Sequence, residues 1–156
     1  MINMDMIGRL NESKGLTIGG WGTSPTWGTL LPALALKNTL KFAVDSSGIG
    51  PSDHTSFYLR QKPVLFFFTG VHTDYHKVTD DADKINATGV RKILQLIADL
   101  ASELDKVPTA LTFTEAGNPH SQDVQTSFKV TLGIIPDYSF NGQGPVSYTH
   151  LRAHET

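Results

Sequence analysis

The 156-residue chain contains no cysteine, which excludes a disulfide scaffold, a thiol nucleophile and a thiolate zinc site. Any metal must therefore be held by His, Asp or Glu. Clustered cations are also missing: 13 Lys and Arg stand against 15 Asp and Glu, for a formal net charge of −2. That balance argues against nucleic acid as the main partner, because phosphate binding needs grouped Lys and Arg. No apolar run approaches the roughly 20 residues of a membrane span. The run Pro63 to Phe68 is the size of a strand. Glutamate is scarce, occurring only at Glu12, Glu103, Glu115 and Glu155, and no two are adjacent. The start has no basic segment followed by an apolar one, so Met1 is read as an internal residue of a longer chain.

What is present reads as alternating elements. Met1 to Leu10 is apolar apart from Asp5, Arg9 and Asn3. A charge in a buried strand costs several kcal/mol unless paired or metal-bound (roughly 2–7 for a polar group, more for an ion), which predicts Asp5 at the strand's end, facing a site. Residues 15–28 suggest a short strand and a loop. Thr29 to Asn38 is predicted as a short helix with Pro32 in its first turn, and Leu40 to Asp45 as a strand. Ser52 or Asp53 is expected to cap a short helix over HTSFYLRQ, and PVLFFFT reads as a buried central strand. From about Asn86 to Lys106 a helix is predicted, with Val90, Ile93, Leu94, Ile97, Leu100, Ala101 and Leu104 in one apolar stripe. This succession predicts an α/β layer fold with a mostly parallel sheet. Pro108 ends the helix, 108–125 is expected to be a linker, and Thr126 to Ile135 has a strand pattern.

In open α/β sheets, functional residues gather beyond the carboxyl ends of strands. Two such places stand out: the end of the first strand at Asp5, and the loop GVHTDYHKVTDDADKIN after PVLFFFT. Two His and four Asp in one short polar run have the composition of a metal site. His76 ranks above His72, because Asp80 four residues on can reach the other nitrogen of its imidazole and fix the tautomer. The competing reading of His76 is a solvated loop histidine. His72 reads as structural or solvent-facing, since the pair needs a helical turn to share a metal. Ser52, Asp53 and His54 do not read as a hydrolase triad, because adjacent side chains diverge.

NMDMIGR, GPSDHTSFY, PVLFFFTGVHTDYH and TDDADKIN, in this order and spacing, resemble the C-terminal half of the catalytic domain of the di-zinc exopeptidases of peptidase family twenty-eight. The resemblance covers about residues 1–106 and implies part of a three-layer zinc-exopeptidase fold over 1–107. It maps the Asp of NMDM to Asp5 and the His of DYH to His76 as zinc ligands. Tyr75 corresponds to a tyrosine that helps stabilise the oxyanion. Asp53 and His54 correspond to residues on the substrate side, and Asp80 to a residue beside the ligands. The family's activity is hydrolysis of N-terminal peptide bonds by water activated between two zinc ions, with a peptide as partner and a glutamate as general base.

That glutamate belongs to a Glu-Glu pair, and the family adds an upstream His-x-Asp; this sequence has neither. The expectation is a fragment that begins after them and is inactive alone, since zinc sites take three or four protein ligands. VTLGIIPDYSF resembles the first strand of a PDZ-like domain, expected over 126–144. PVSYTHLRAHET, residues 145–156, resembles the translation of a transposase-type sequencing adapter, which implies a tail that is not biological. An exported or periplasmic protein of this kind is expected to carry its signal upstream. The alternative to a peptidase fragment is a non-catalytic binding or scaffolding member of the same fold.

Overall fold

The computed structural model describes residues 1–116, together with the backbone of Ile134–Pro136 and Ser147–His150. Val64 to Phe68 is apolar at every position, so it must be covered on both faces. It supplies β4 (Leu65–Phe68), buried throughout. β1 (Ile2–Met4) pairs parallel with β4, β2 (Leu16–Gly19) pairs antiparallel on its other side, and β3 (Phe42–Val44) runs parallel to β2. The order is β1-β4-β2-β3, so PVLFFFT is central, as its composition predicts. The sheet is mixed, with one antiparallel step between β4 and β2. That step divides the sheet into two parallel pairs: the carboxyl ends of β1 and β4 open on one edge, and those of β2 and β3 on the opposite edge.

Side chains alternate across the sheet. Leu65, Phe67, Leu16 and Ile18 share one core with Trp27 and Leu31 of α1 (Pro25–Lys37) and with Ile93, Leu96 and Leu100 of α3 (Ala87–Asp105). On the opposite face lie Asn3 and Phe66, paired in register. The short α2 (His54–Tyr58) covers this side, with the His54 ring stacked on Phe66 at 4.5 Å between centroids.

Three helix expectations are corrected. α1 begins at Pro25 rather than Thr29: the Ser24 side chain accepts from the Thr26 N–H and Pro25 occupies the first turn. Pro32 is consequently interior, and its missing N–H leaves the Gly28 carbonyl without a helical donor. α3 has the expected ends, with the Asn86 side chain accepting from the Gly89 N–H and Lys106 at the far end. Its buried line, however, is Gly89, Ile93, Leu96 and Leu100, while Leu94 is 45% exposed. Neither Ser52 nor Asp53 caps α2 through its side chain.

Gly20 makes the turn after β2 possible. It has φ +78°, and a Cβ there would lie 2.4 Å from the Val64 carbonyl oxygen. After α3 the chain returns across the molecule: the Thr114 N–H donates to the Thr23 carbonyl at 2.9 Å, and the Tyr58 hydroxyl donates to the Ala116 carbonyl at 2.5 Å. No helix among the described residues is long and apolar enough to cross a membrane.

The chain divides into two units, Met1–Ser121 and Gln122–Thr156. The described part of the second is an antiparallel ribbon of β5 (Ile134–Pro136) and β6 (Ser147–His150). Of the expected PDZ-like strand, residues 126–133 lie outside the described residues. In the adapter-like stretch, Ser147–His150 forms β6, and 151–156 lie outside them as well.

Candidate active site

The site is assembled at the carboxyl ends of β1 and β4. Asp5 follows β1 directly, and its N–H donates to the Phe67 carbonyl at 3.1 Å, continuing the ladder by one bond. The side chain is thus fixed at the strand's end, where a lone charge in an apolar segment was expected. Ser52 Oγ donates to Asp5 Oδ2 at 2.9 Å, and Asn3 Nδ2 donates to Ser52 Oγ at 2.8 Å. Asn3 and Asp5 share a face because they are two apart on a strand, and Ser52 bridges them from the loop before α2. Asn3 was not singled out by the sequence, and Ser52 was read as a helix cap rather than as a partner of Asp5. The hydroxyl that looked like a helix cap is instead spent on the carboxylate.

Asp53 and His54 do not form one pocket wall. Asp53 is exposed, whereas His54 is 1% exposed and sandwiched between Phe66 and the Asn3 amide, 3.5 Å from its Nδ1. The start of α2 separates them: His54 and Tyr58, one turn apart, face the core, and the residue before them faces out. Burial pushes the His54 pKa below the ordinary histidine value, against the pull of Asp45, Asp5 and Asp53 in the other direction. In the neutral ring Nδ1 is available as an acceptor toward Asn3.

Immediately after Asp5 the chain turns sharply. Met6 takes a left-handed conformation, φ 51° and ψ 41°, uncommon for a residue of this size. The Thr69 hydroxyl donates to its carbonyl and holds the turn against the end of β4. A 3₁₀ turn, Ile7–Arg9, follows and points Arg9 toward the loop after β4.

That loop bears Tyr75 and His76. His76 is exposed and also left-handed, with φ 57°. Tyr75 is half-buried, its ring 4.0 Å from that of His76 and edge-on to His72 at 6.3 Å. Met6, Arg9, His72, Tyr75, His76 and Asp80 are among the residues lining a cleft of about 530 Å³. The expected pairing of Asp80 with His76 is not the one formed. Asp80 is ion-paired with Arg9 and lies 3.7 Å from His72 Nε2. The spacing argument considered only partners inside the loop, and a guanidinium from another segment outcompetes an imidazole for a carboxylate. Asp74 also meets Arg9, and hydrogen bonds from Lys84 and then Thr79 hold its carboxyl below the usual range.

Among the described residues, no group of three His, Asp or Glu side chains is arranged to hold a metal ion. Fold and loops together define an α/β protein with polar side chains gathered beyond two adjacent parallel strands, where functional residues of open α/β sheets collect. The sequence model of peptidase family M28 matches residues 1–101, and the chain belongs to that family. No curated protein and no solved structure matches the chain.

Proposed function

We propose that the chain is part of a zinc-dependent exopeptidase, an aminopeptidase acting on N-terminal peptide bonds, and that it supplies a portion of the metal centre. Asp5 and His76 each give one ligand, Tyr75 gives a phenol donor to the oxyanion, and Asp53 lies toward the peptide. The supporting observation is the parallel pairing of β1 with β4, which brings Asp5 and the Tyr75–His76 loop to one edge of the sheet, in a chain of a peptidase family.

The donor types suit zinc, a carboxylate oxygen and an imidazole nitrogen, but the donor number does not. Two side chains without a third fall short of a site, and the chain alone is assigned no step of the hydrolysis. Its own residues prepare a site: Ser52 holds one oxygen of Asp5, Asn3 orients Ser52, and Met6 turns the chain away so that the carboxylate ends the strand. In a completed centre two zinc ions would supply carbonyl polarisation and an activated water. The remaining ligands and the general base then come from outside this sequence.

Zinc titration by equilibrium dialysis tests this reading. The chain alone is expected to retain less than one zinc per molecule at micromolar zinc. A longer product of the same gene, carrying an upstream His-x-Asp and Glu-Glu, is expected to hold two and to hydrolyse an aminoacyl p-nitroanilide. Substituting Asp5→Ala or His76→Ala in that product should abolish the activity. An upstream reading frame without either motif overturns the peptidase reading and leaves the non-catalytic one.

A further inference from the structure

The loop that carries Tyr75 and His76 is held down in an unusual way. Its described backbone hydrogen bonds are short-range: Tyr75 N–H to the His72 carbonyl at 3.1 Å, Lys77 to Asp74 at 2.8 Å and Asp80 to Lys77 at 3.1 Å. Such bonds shape a loop without fixing it to anything else. Around Tyr75 and His76 a tie to the rest of the unit comes from a side chain. The Arg9 guanidinium reaches Asp74 Oδ2 with Nη1 at 3.6 Å and Asp80 with Nη2. Those two aspartates bracket Tyr75 and His76 in the sequence, one just before and one four residues after. Arg9 and Asp74 are each only 18% exposed at the side chain, so this pair is less screened than an ordinary surface pair.

Arg9 also sits four residues after Asp5, at the end of the 3₁₀ turn that Met6 initiates. The far end of the loop is fixed to the same turn by backbone, through the Asn86 N–H donating to the Gly8 carbonyl at 2.8 Å. One short segment therefore carries Asp5 at its start and the anchor of the opposing loop at its end.

We propose that Arg9 is a positioning residue: by bridging Asp74 and Asp80 it fixes the loop that presents Tyr75 and His76 relative to the strand that presents Asp5. This rests on the reading of Asp5 and His76 as parts of one site. The guanidinium meets the two carboxylates through different nitrogens, as a hydrogen bond to Asp80 and an ion pair at 3.6 Å to Asp74, whereas an ammonium is a point charge with a shorter reach. Lys84, which meets Asp74 at 2.6 Å, cannot replace it, since it belongs to the same loop and links the loop only to itself.

The test is backbone NMR relaxation on the full chain and on Arg9→Met, Arg9→Lys and Lys84→Met. In the unsubstituted chain, amide order parameters at Tyr75, Lys77 and Asp80 are expected near the rigid value of about 0.85, and in Arg9→Met below about 0.6. The amides of α3 from Ile93 to Leu100 should not change. Arg9→Lys should leave the loop loose despite keeping the charge, and Lys84→Met should leave it ordered. An ordered loop in Arg9→Met, full rescue by Lys, or loosening that extends through α3 overturns the proposal; the last result marks Arg9 as a general structural residue. A second reading uses Co²⁺ alone as probe, following paramagnetic broadening of the His76 ring signals. Arg9→Met should need at least about fivefold more Co²⁺ than the unsubstituted chain for equal broadening, and an equal response overturns the positioning role. Broadening that is unaffected by Asp5→Ala counts against the shared metal site itself, while the relaxation data still decide whether Arg9 fixes the loop.

Discussion

The two faces of the central sheet are built from alternate residues of the same strands and have opposite chemistry. On one face Phe67, Leu65 and Ile18 meet Trp27, Leu31, Ile93 and Leu96, and the Trp27 indole N–H donates to the buried, uncharged Thr23 hydroxyl at 3.1 Å. On the other, Asn3 and Phe66 meet Ser52 and His54, and a chain of hydrogen bonds runs to Asp5. The first face gains stability from apolar area removed from water, at about 25 cal/mol per Å², and is indifferent to pH. The second includes a buried imidazole whose pKa burial lowers, so its packing depends on whether that ring carries a proton. The covering helices make the fold, and the polar face makes the site.

The sharpest way to break the comparison is at Phe67, which is 0% exposed. Phe67→Ala removes a ring from the middle of the apolar face, and such truncations cost about 3–5 kcal/mol. Against a typical total of roughly 5–15 kcal/mol, thermal unfolding followed by circular dichroism should move down by more than about 10 °C. The loss should be the same at pH 7 and pH 5, because no group on that face titrates. A loss that changes with pH across this range would mean that the two faces are not energetically separate.

What the sequence made legible follows the same division. PVLFFFT as the central strand, the ends of α3 at Asn86 and Lys106, and Asp5 at a strand's end all follow from apolar runs, caps and a misplaced charge. These are local signals. The turn of α3 that places Leu96 inward and Leu94 outward was not legible, because the two differ by about 200° around a helix and either fits an apolar stripe. The start of α1 had a signal that went unread, Ser24 followed by Pro25. On the polar face the partners come from distant segments: Ser52 with Asp5, Arg9 with Asp80, His54 with Phe66. Spacing along the chain carries no information about contacts separated by 47 or 71 residues. The residue types of the site could therefore be read, while the pairings within it could not.

A smaller effect, on the polar face, should come from His54. Burial lowers its pKa from the ordinary 6.5, with Asp45, Asp5 and Asp53 opposing. The unfolded chain therefore takes up a proton before the folded chain does, and folding stability must fall as pH drops from 6.5 toward the lowered folded value. Urea unfolding midpoints measured from pH 7.5 to pH 5 should decline over that window. His54→Phe keeps a ring against Phe66 and removes the titration, so its midpoint should be flatter across the same range, whatever its absolute level. A variant with the unsubstituted chain's slope would show that the proton is taken up elsewhere.

The smallest expected effect lies at the solvent edge of the helical layer, where charge is present but peripheral. Asp99 of α3 accepts from Asn38 Nδ2 at 3.0 Å and Gln95 Nε2 at 3.1 Å, and meets Lys37 Nζ at 3.0 Å. The Asn38 bond, then the Lys37 contact, hold its carboxyl below the ordinary 3.8. A folded pKa below the unfolded one contributes stability that is full above about pH 4 and is lost as pH falls through the folded value. Asp99→Asn should therefore melt slightly below the unsubstituted chain at pH 7, by at most a few degrees, since ion pairs with a solvent-exposed lysine are weak. At pH 2.5 the gap should close, and added salt at pH 7 should narrow it by screening. Two of these partners, Lys37 and Asn38, tie the end of α1 to α3, yet the apolar contacts beneath them already fix how the helices pack. A gap that persists at pH 2.5, or that rivals the Phe67→Ala loss, would mean that charge helps to build the helical face as well as the site.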